Sequence, residues 1–263
     1  MNASALLPAF LLFVLSASPG AGAERNRLFI ESSIGKNLQT TSGEVDNFYR
    51  TAFTFTGDLG YMLTRNIGIV PFSVTRRSFD FDSNKAEKHM SDRWLYYKWS
   101  IPEPYDLSKF SGSPADTEFQ ARSSREEISF TPGLIFFKPV RKSANVFFQA
   151  GGGFYRSRLT MEGRASEYLR YPGDFKDHSY SFSESFKQWG LLFSGGFEYI
   201  LPGKATVTVK GRYNLIFRDN KSFDTDFEGS DIIKVVHFKP RELIGYIKRN
   251  VLGVNLGIRF FFL

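Results

Sequence analysis

The sequence contains no cysteine, which excludes disulfides, thiolate nucleophiles and sulfur-based zinc sites. Only three histidines are present, at positions 89, 178 and 237, so imidazole chemistry has few places to reside. Beyond residue 23 there is no run of 18 apolar residues, which excludes an ordinary transmembrane helix. Neither a Gly-rich phosphate loop nor a His-x-x-x-His metal spacing occurs.

Phenylalanine is abundant instead, with 29 residues in a chain that is 17% aromatic. The first 23 residues carry no charge, hold an apolar run from Leu6 to Leu15, and end in Ala21-Gly22-Ala23. A small-x-small end after a short apolar run reads as a signal peptide over residues 1–23, leaving 24–263 as a β-barrel domain. The run is too short, and too interrupted by Pro8, for a membrane span.

Eight segments of that remainder alternate with a period of two: Leu28 to Gly35, Thr51 to Leu63, Asn66 to Arg77, Glu126 to Lys138, Asn145 to Ser157, Gln188 to Ile200, Ala205 to Phe217, and Asn250 to Leu263. Pro71 in the third is tolerable only at a bulge or an unpaired amide. Connections alternate between short ("TR", "PVRKSA", "LPGK") and long, with long surface loops expected near 36–50, 78–125, 158–187 and 218–249. One rim therefore carries tight turns and the other carries loops. The pattern predicts an all-β fold, an eight-stranded antiparallel up-and-down transmembrane β-barrel with both mature termini on the short-turn, periplasmic side.

Which face meets which solvent follows from composition. In the last segment Leu252, Val254, Leu256, Ile258, Phe260 and Phe262 share one face, while Asn255 and Arg259 lie on the other. Apolar faces rich in aromatics, opposed by Thr, Ser, Gly, Asn and charge, suit a barrel with lipid outside. A strict alternation up to the terminus is what closure requires, because an open edge in hydrocarbon leaves backbone amides and carbonyls unsatisfied.

The chain at this point resembles the small eight-stranded outer-membrane barrels of Gram-negative bacteria, the group with the OmpA transmembrane domain, OmpX and OmpW. The resemblance spans Leu28 to Phe262 and lies in pattern. It implies insertion into the outer membrane by the barrel-assembly machinery, which in that group reads a terminal aromatic after alternating apolar positions. Phe260, Phe261 and Phe262 supply that signal here, although Leu263 follows them.

Parity turns Glu31, Asp58 and Glu198 inward together with Lys210, Arg212 and Arg259. Buried charges survive when paired, so these six are expected to form a lumen ion-pair network that plugs a narrow cylinder. Inward Phe29, Ile135, Phe137, Phe147 and Leu192 keep open an OmpW-like narrow channel for small or hydrophobic molecules. Basic residues at the loop-side strand ends, Arg76, Arg77, Arg156 and Arg158, suit the phosphates of lipopolysaccharide or another acidic glycolipid. A net charge of +7 spread over an exported chain does not point to nucleic acid.

"WLYYKWS", Trp94 to Ser100, reads either as a hairpin extending the third and fourth strands or as a segment folded over the barrel mouth. "DIIKVVHF", Asp231 to Phe238, reads as an outward extension of the last hairpin. "DHSYS", Asp177 to Ser181, gathers an acid, a His and two Ser, but triads are assembled in space and surface polarity accounts for it. A lipid-modifying enzyme is thus the weakest reading. No catalytic, cofactor-binding or metal-binding residue is assigned, and a non-catalytic surface scaffold is expected.

Overall fold

The computed structural model describes residues 28–39, 48–49, 51–98, 117–168, 175–202, 205–217, 233 and 249–262. Residues 1–23, read as a signal peptide, and most of 218–249 lie outside this set.

The strands are β1 (Leu28–Gln39), β2 (Thr51–Met62), β3 (Ile67–Phe79), β4 (Thr117–Phe130), β5 (Gly133–Arg141), β6 (Ala144–Tyr168), β7 (Phe175–Ile200), β8 (Ala205–Ile216) and β9 (Arg249–Phe262). One helix, α1 (Ser83–Lys98), stands between β3 and β4. All pairings are antiparallel, and β9 pairs with β1, so the sheet is closed. Thr131 and Pro132 interrupt what the sequence suggests is one strand, so β4 and β5 together form the fourth of eight staves. Proline has no amide to give the ladder, and the break falls there. Pro71 likewise sits where the β2–β3 register shifts between Leu59 and Tyr61.

The ladder can be followed once round the ring, from Leu28 to Tyr61, Ile69, Leu134, Ala150, Phe193, Tyr213 and Leu252. It returns to β1 at Leu38, a stagger of ten residues. A stagger of that size over eight strands tilts them by about 35–45° and leaves an interior that side chains can fill.

The chemistry of the two faces inverts part-way up the barrel. In the lower part the outward positions are apolar: Ile34, Phe55, Phe72, Phe154, Trp189 and Leu256 are each at least half exposed. The inward positions there are buried Ser, Thr, Asn and charged groups. Further along the same strands the outward residues become Gln120, Arg122, Glu162, Arg164 and Ser183, while inward Phe119, Ala121, Leu159, Met161 and Phe186 are buried. Lipid outside calls for the first arrangement and water outside for the second. The fold is a transmembrane barrel whose β4, β6 and β7 continue beyond the bilayer as an ordinary water-soluble sheet.

This extension corrects the expected loops. Residues 158–187 are largely strand, since β6 runs to Tyr168 and β7 starts at Phe175. β1 reaches Gln39, β3 reaches Phe79 and β4 starts at Thr117, which shortens the other two described loops. Within 78–125 lies α1, capped by Asp82, whose Oδ1 accepts from the Lys85 amide at 3.1 Å. Trp94 to Lys98 is therefore helical, not a hairpin strand, and Ser100 lies outside the described residues. Ala86 and Met90 are fully buried against Phe48, Tyr49, Phe79 and the inner face of the extension, with Trp94 packed alongside. Of Asp231 to Phe238 only Ile233 is described; it is helical and buried in the same cap.

Candidate functional site

Inward parity brings the six charged residues together in the lower lumen, each at most 4% exposed. Arg259 holds the centre. Its Nε and Nη2 donate to Glu31 Oε2 at 2.9 and 2.5 Å, and its Nη1 donates to Glu198 Oε2. Lys210 Nζ lies 2.6 Å from Glu31 Oε1 and 3.0 Å from Asp58 Oδ2. Asn145 Nδ2 donates to the remaining Glu198 oxygen at 2.6 Å. Arg212 stands apart from this pairing: its Nη1 donates to Thr56 Oγ1 at 2.6 Å, and among the described residues no carboxylate lies within ion-pair distance of it.

Below these charges is an aromatic floor. Phe29, Met62, Val70, Ile135, Phe137 and Phe147 are buried in one cluster with Phe261 against it. The Arg259 guanidinium lies 5.0 Å from the ring centres of Phe29, Phe137 and Phe147 alike, so the cation is held between carboxylates and π-faces. The inward aromatics that could have lined a conduit thus pack on one another; Leu192 is also buried but belongs to a higher level.

A second charged layer lies above the first, and parity alone did not reveal it. Arg77 Nη1 is 2.5 Å from Glu127 Oε1, both side chains fully buried, and Ser157 Oγ donates to Glu127 Oε2 at 3.1 Å. With its amide oxygen turned toward Arg77, Asn37 accepts from Nε at 3.0 Å. Arg77 was expected at the surface as a glycolipid contact; being inside the lumen, it cannot meet one. Arg125 is buried above it, 4.3 Å from the Phe79 ring centre and 5.5 Å from that of Tyr49. The Tyr49 hydroxyl bonds Ser123 Oγ, which donates to the Thr160 carbonyl at 2.5 Å. Burial pushes the Tyr49 phenol up to about 12.

On the outer surface, Arg76, Arg156 and Arg158 are exposed. Arg76, Ile128, Arg156 and Lys187 are successive partners across β3, β4, β6 and β7. They lie just above an outward aromatic row, in which the Phe72 and Phe130 ring centres are 5.9 Å apart and Phe154 packs on Trp189. Arg76 also bonds Glu126 at 2.9 Å, both exposed. Lys187 completes a basic row that the alternation alone does not include, because the lipid-facing pattern of its strand starts one residue later.

The "DHSYS" stretch lies on β7 in the extension. His178 faces inward, 9% exposed and 3.6 Å from Glu167, whereas Ser179 and Ser181 point outward. A strand places these residues on opposite faces, so no Ser–His pair forms there. Asp177 is held below the usual carboxylate range by donation from Arg164 and from Ser166. Among the described residues no group of three His, Asp or Glu could hold a metal ion.

No family profile matches the chain, and no curated protein matches it. Solved structures similar to it include Ail, the attachment invasion locus protein of Yersinia pestis, at 11% identity, 90% of this chain, 100% of that one and a TM-score of 0.39. OprG of Pseudomonas aeruginosa is similar at 10% identity, covering 92% of this chain and 98% of that one, with a TM-score of 0.41. A major outer-membrane protein of Thermus thermophilus is similar at 14% identity, covering 91% and 100%, with a TM-score of 0.40. The closed ring and its inverted faces carry the fold assignment on their own.

Proposed function

We propose that the chain is a non-catalytic outer-membrane protein, a sealed barrel that serves as an anchor for an extracellular sheet and cap through which it makes its contacts. The observation that carries this reading is the filling of the lumen at successive levels: aromatic floor, lower charge layer, Arg77–Glu127 layer and apolar cap. A conduit of the OmpW-like kind would need to displace all four. Export by the residues 1–23 signal, periplasmic termini, and recognition of the Phe260–Phe262 end by the barrel-assembly machinery belong to the same reading.

Lipopolysaccharide, or another phosphate-bearing glycolipid, is the proposed lipid partner. Arg76, Arg156 and Arg158, now joined by Lys187, face outward just above the aromatic row where headgroup phosphates of the outer leaflet would lie. Nothing in the site calls for a cofactor, and nucleic acid is not a partner in this reading.

Conductance tests it. Refolded protein in a planar bilayer is expected to show no steady current, and Arg259→Ala alone is expected to leave it closed because the floor and cap remain. A stable wild-type conductance would favour the channel reading instead. His178→Ala is expected to leave lipid A chemistry unchanged; its loss would restore the enzyme reading.

A further inference from the structure

We propose that the outward face of the β4, β6 and β7 extension carries a saccharide-binding cleft, occupied by the neutral sugar chain of the outer-leaflet glycolipid; the proposal rests on the glycolipid reading above. The cleft has a volume of about 490 Å³, within the range of small-molecule sites. Two adjacent cross-strand rows form its walls: Gln120, Arg164 and Ser179 in one, Arg122, Glu162 and Ser181 in the other. Period two turns all six outward, and all six are exposed. Between the rows lie Gly163 and Tyr180, which are cross-strand partners. A Cβ at Gly163 would overlap the buried Tyr180 ring, so the ring backs the floor of the cleft from the inner face.

The walls offer both donors and acceptors. Arg164 bonds Asp177, to which Ser166 also donates at 2.7 Å. Gln120, Arg122, Glu162, Ser179 and Ser181 make no side-chain hydrogen bond or ion pair among the described residues. Arg122 stands opposite Glu162 and Arg164 is paired with Asp177, so the site has no net charge. A phosphate or sulfate calls for donors alone, and Glu162 would repel it. A sugar hydroxyl both donates and accepts. The amide of Gln120, the guanidinium of Arg122 and the carboxylate of Glu162 each present two polar atoms side by side, which suits adjacent hydroxyls on a sugar ring. A peptide would call for an open strand edge or an apolar anchor, and the cleft walls offer neither.

Position names the source of the sugar. Along β6 the outward residues run from Arg156 and Arg158 through Thr160 to Glu162 and Arg164, so basic row and cleft share one face. At about 3.3 Å per residue, Glu162 lies roughly 20 Å along the strand from Arg156. Hydroxyls fill the interval: Ser124 and Thr160 are bonded at 2.6 Å, and Ser183 is the β7 partner of Thr160. A glycolipid whose phosphates sit at the basic row would send its sugars up this same face. The phosphates meet cations below, and the sugars meet a balanced polar cleft above.

The test uses the refolded full barrel in detergent micelles and two glycolipids: phosphorylated lipid A without sugars, and the same lipid A carrying a short chain of neutral hexoses. The wild type is expected to bind the second at least about tenfold more tightly, the scale of one or two hydrogen bonds. Arg122→Ala combined with Glu162→Ala removes no net charge, and is expected to abolish that advantage while leaving lipid A affinity unchanged. Ser181→Trp, which fills the cleft and keeps its charges, is expected to do the same. Arg156→Glu combined with Arg158→Glu is expected to weaken both glycolipids alike. Heat-modifiable migration on gels checks that each variant is folded. Equal wild-type affinity for the two glycolipids would overturn the cleft and leave the glycolipid reading standing, whereas binding of neither would overturn both. A lipid-free hexose chain that bound as tightly as the lipid-linked one would overturn the source assigned here.

Discussion

Arg259 and Glu31 are direct cross-strand partners on the pair of strands that closes the ring, and their side chains meet in the lumen with Nη2 and Oε2 2.5 Å apart. Backbone closure and charge pairing therefore specify the same register. A one-residue slip of β9 would carry Arg259 to the lipid face, at a cost of about 2–4 kcal/mol near the midplane.

Arg259→Met should destabilise the barrel by about 3–5 kcal/mol, because Glu31 and Glu198 would remain buried with less compensation. Urea unfolding in lipid vesicles measures this. Adding Glu31→Gln should recover part of the loss, since it removes one of the stranded charges. A cost below about 1 kcal/mol for the single variant would show that the interior is hydrated enough to solvate these groups.

The exposed basic row should matter for glycolipid binding and the buried arginine should not. Arg156→Glu combined with Arg158→Glu is expected to weaken binding to lipid A vesicles by at least about tenfold, the scale of losing one or two charge-assisted hydrogen bonds. Arg77→Met should lower the unfolding midpoint while leaving the glycolipid affinity of the folded fraction unchanged. Sedimentation of vesicles with bound protein distinguishes the two effects.

Tyr49 should make the cap sensitive to alkali. Its phenol is raised by burial from an ordinary value near 10 to about 12. A raised value means that the stabilising effect is complete below pH 10 and is lost as pH climbs toward 12, where the unfolded segment ionises first. The loss is on the order of 2 kcal/mol. Tyrosinate absorbance followed alongside unfolding should show a steeper alkaline decline in the wild type than in Tyr49→Phe.

The cap should be separable from the barrel. Met90 is fully buried between α1 and the extension, and Met90→Ala should cost the cap about 2–5 kcal/mol. Trypsin is then expected to cut sooner at Lys85, Lys88 or Arg93, while the barrel keeps its heat-modifiable migration on gels. Loss of that migration would mean that cap and barrel fold as one unit.

Parity made the staves and the lower charge layer legible in the sequence, because Glu31, Asp58, Glu198, Lys210, Arg212 and Arg259 each alternate with lipid-facing apolar residues. The extension was hidden by that same criterion. Once a strand leaves the bilayer its apolar residues turn inward, so Phe119, Leu159 and Met161 read as loop when a lipid-facing stripe is sought. Ala86, Met90 and Trp94, four residues apart, carry a helical signal that the neighbouring aromatics overshadow. Arg77 was misplaced because Arg76 and Arg77 are adjacent in sequence and only one of two neighbours on a strand can face out. Telling which required the register with Glu127.

The central claim, that this barrel carries its polar face inside and its apolar face toward lipid, is most directly tested along β9. The absence of native cysteine allows single cysteines at outward positions 252, 254, 256 and 258 and at inward Asn255, each offered a membrane-soluble thiol-reactive fluorophore in protein reconstituted into bilayers. The four even positions should label and be quenched strongly by nitroxide-bearing lipids, and position 255 should stay unlabelled until the barrel is unfolded. Ready labelling at position 255 in the folded barrel, or no lipid quenching at the even positions, would contradict the account.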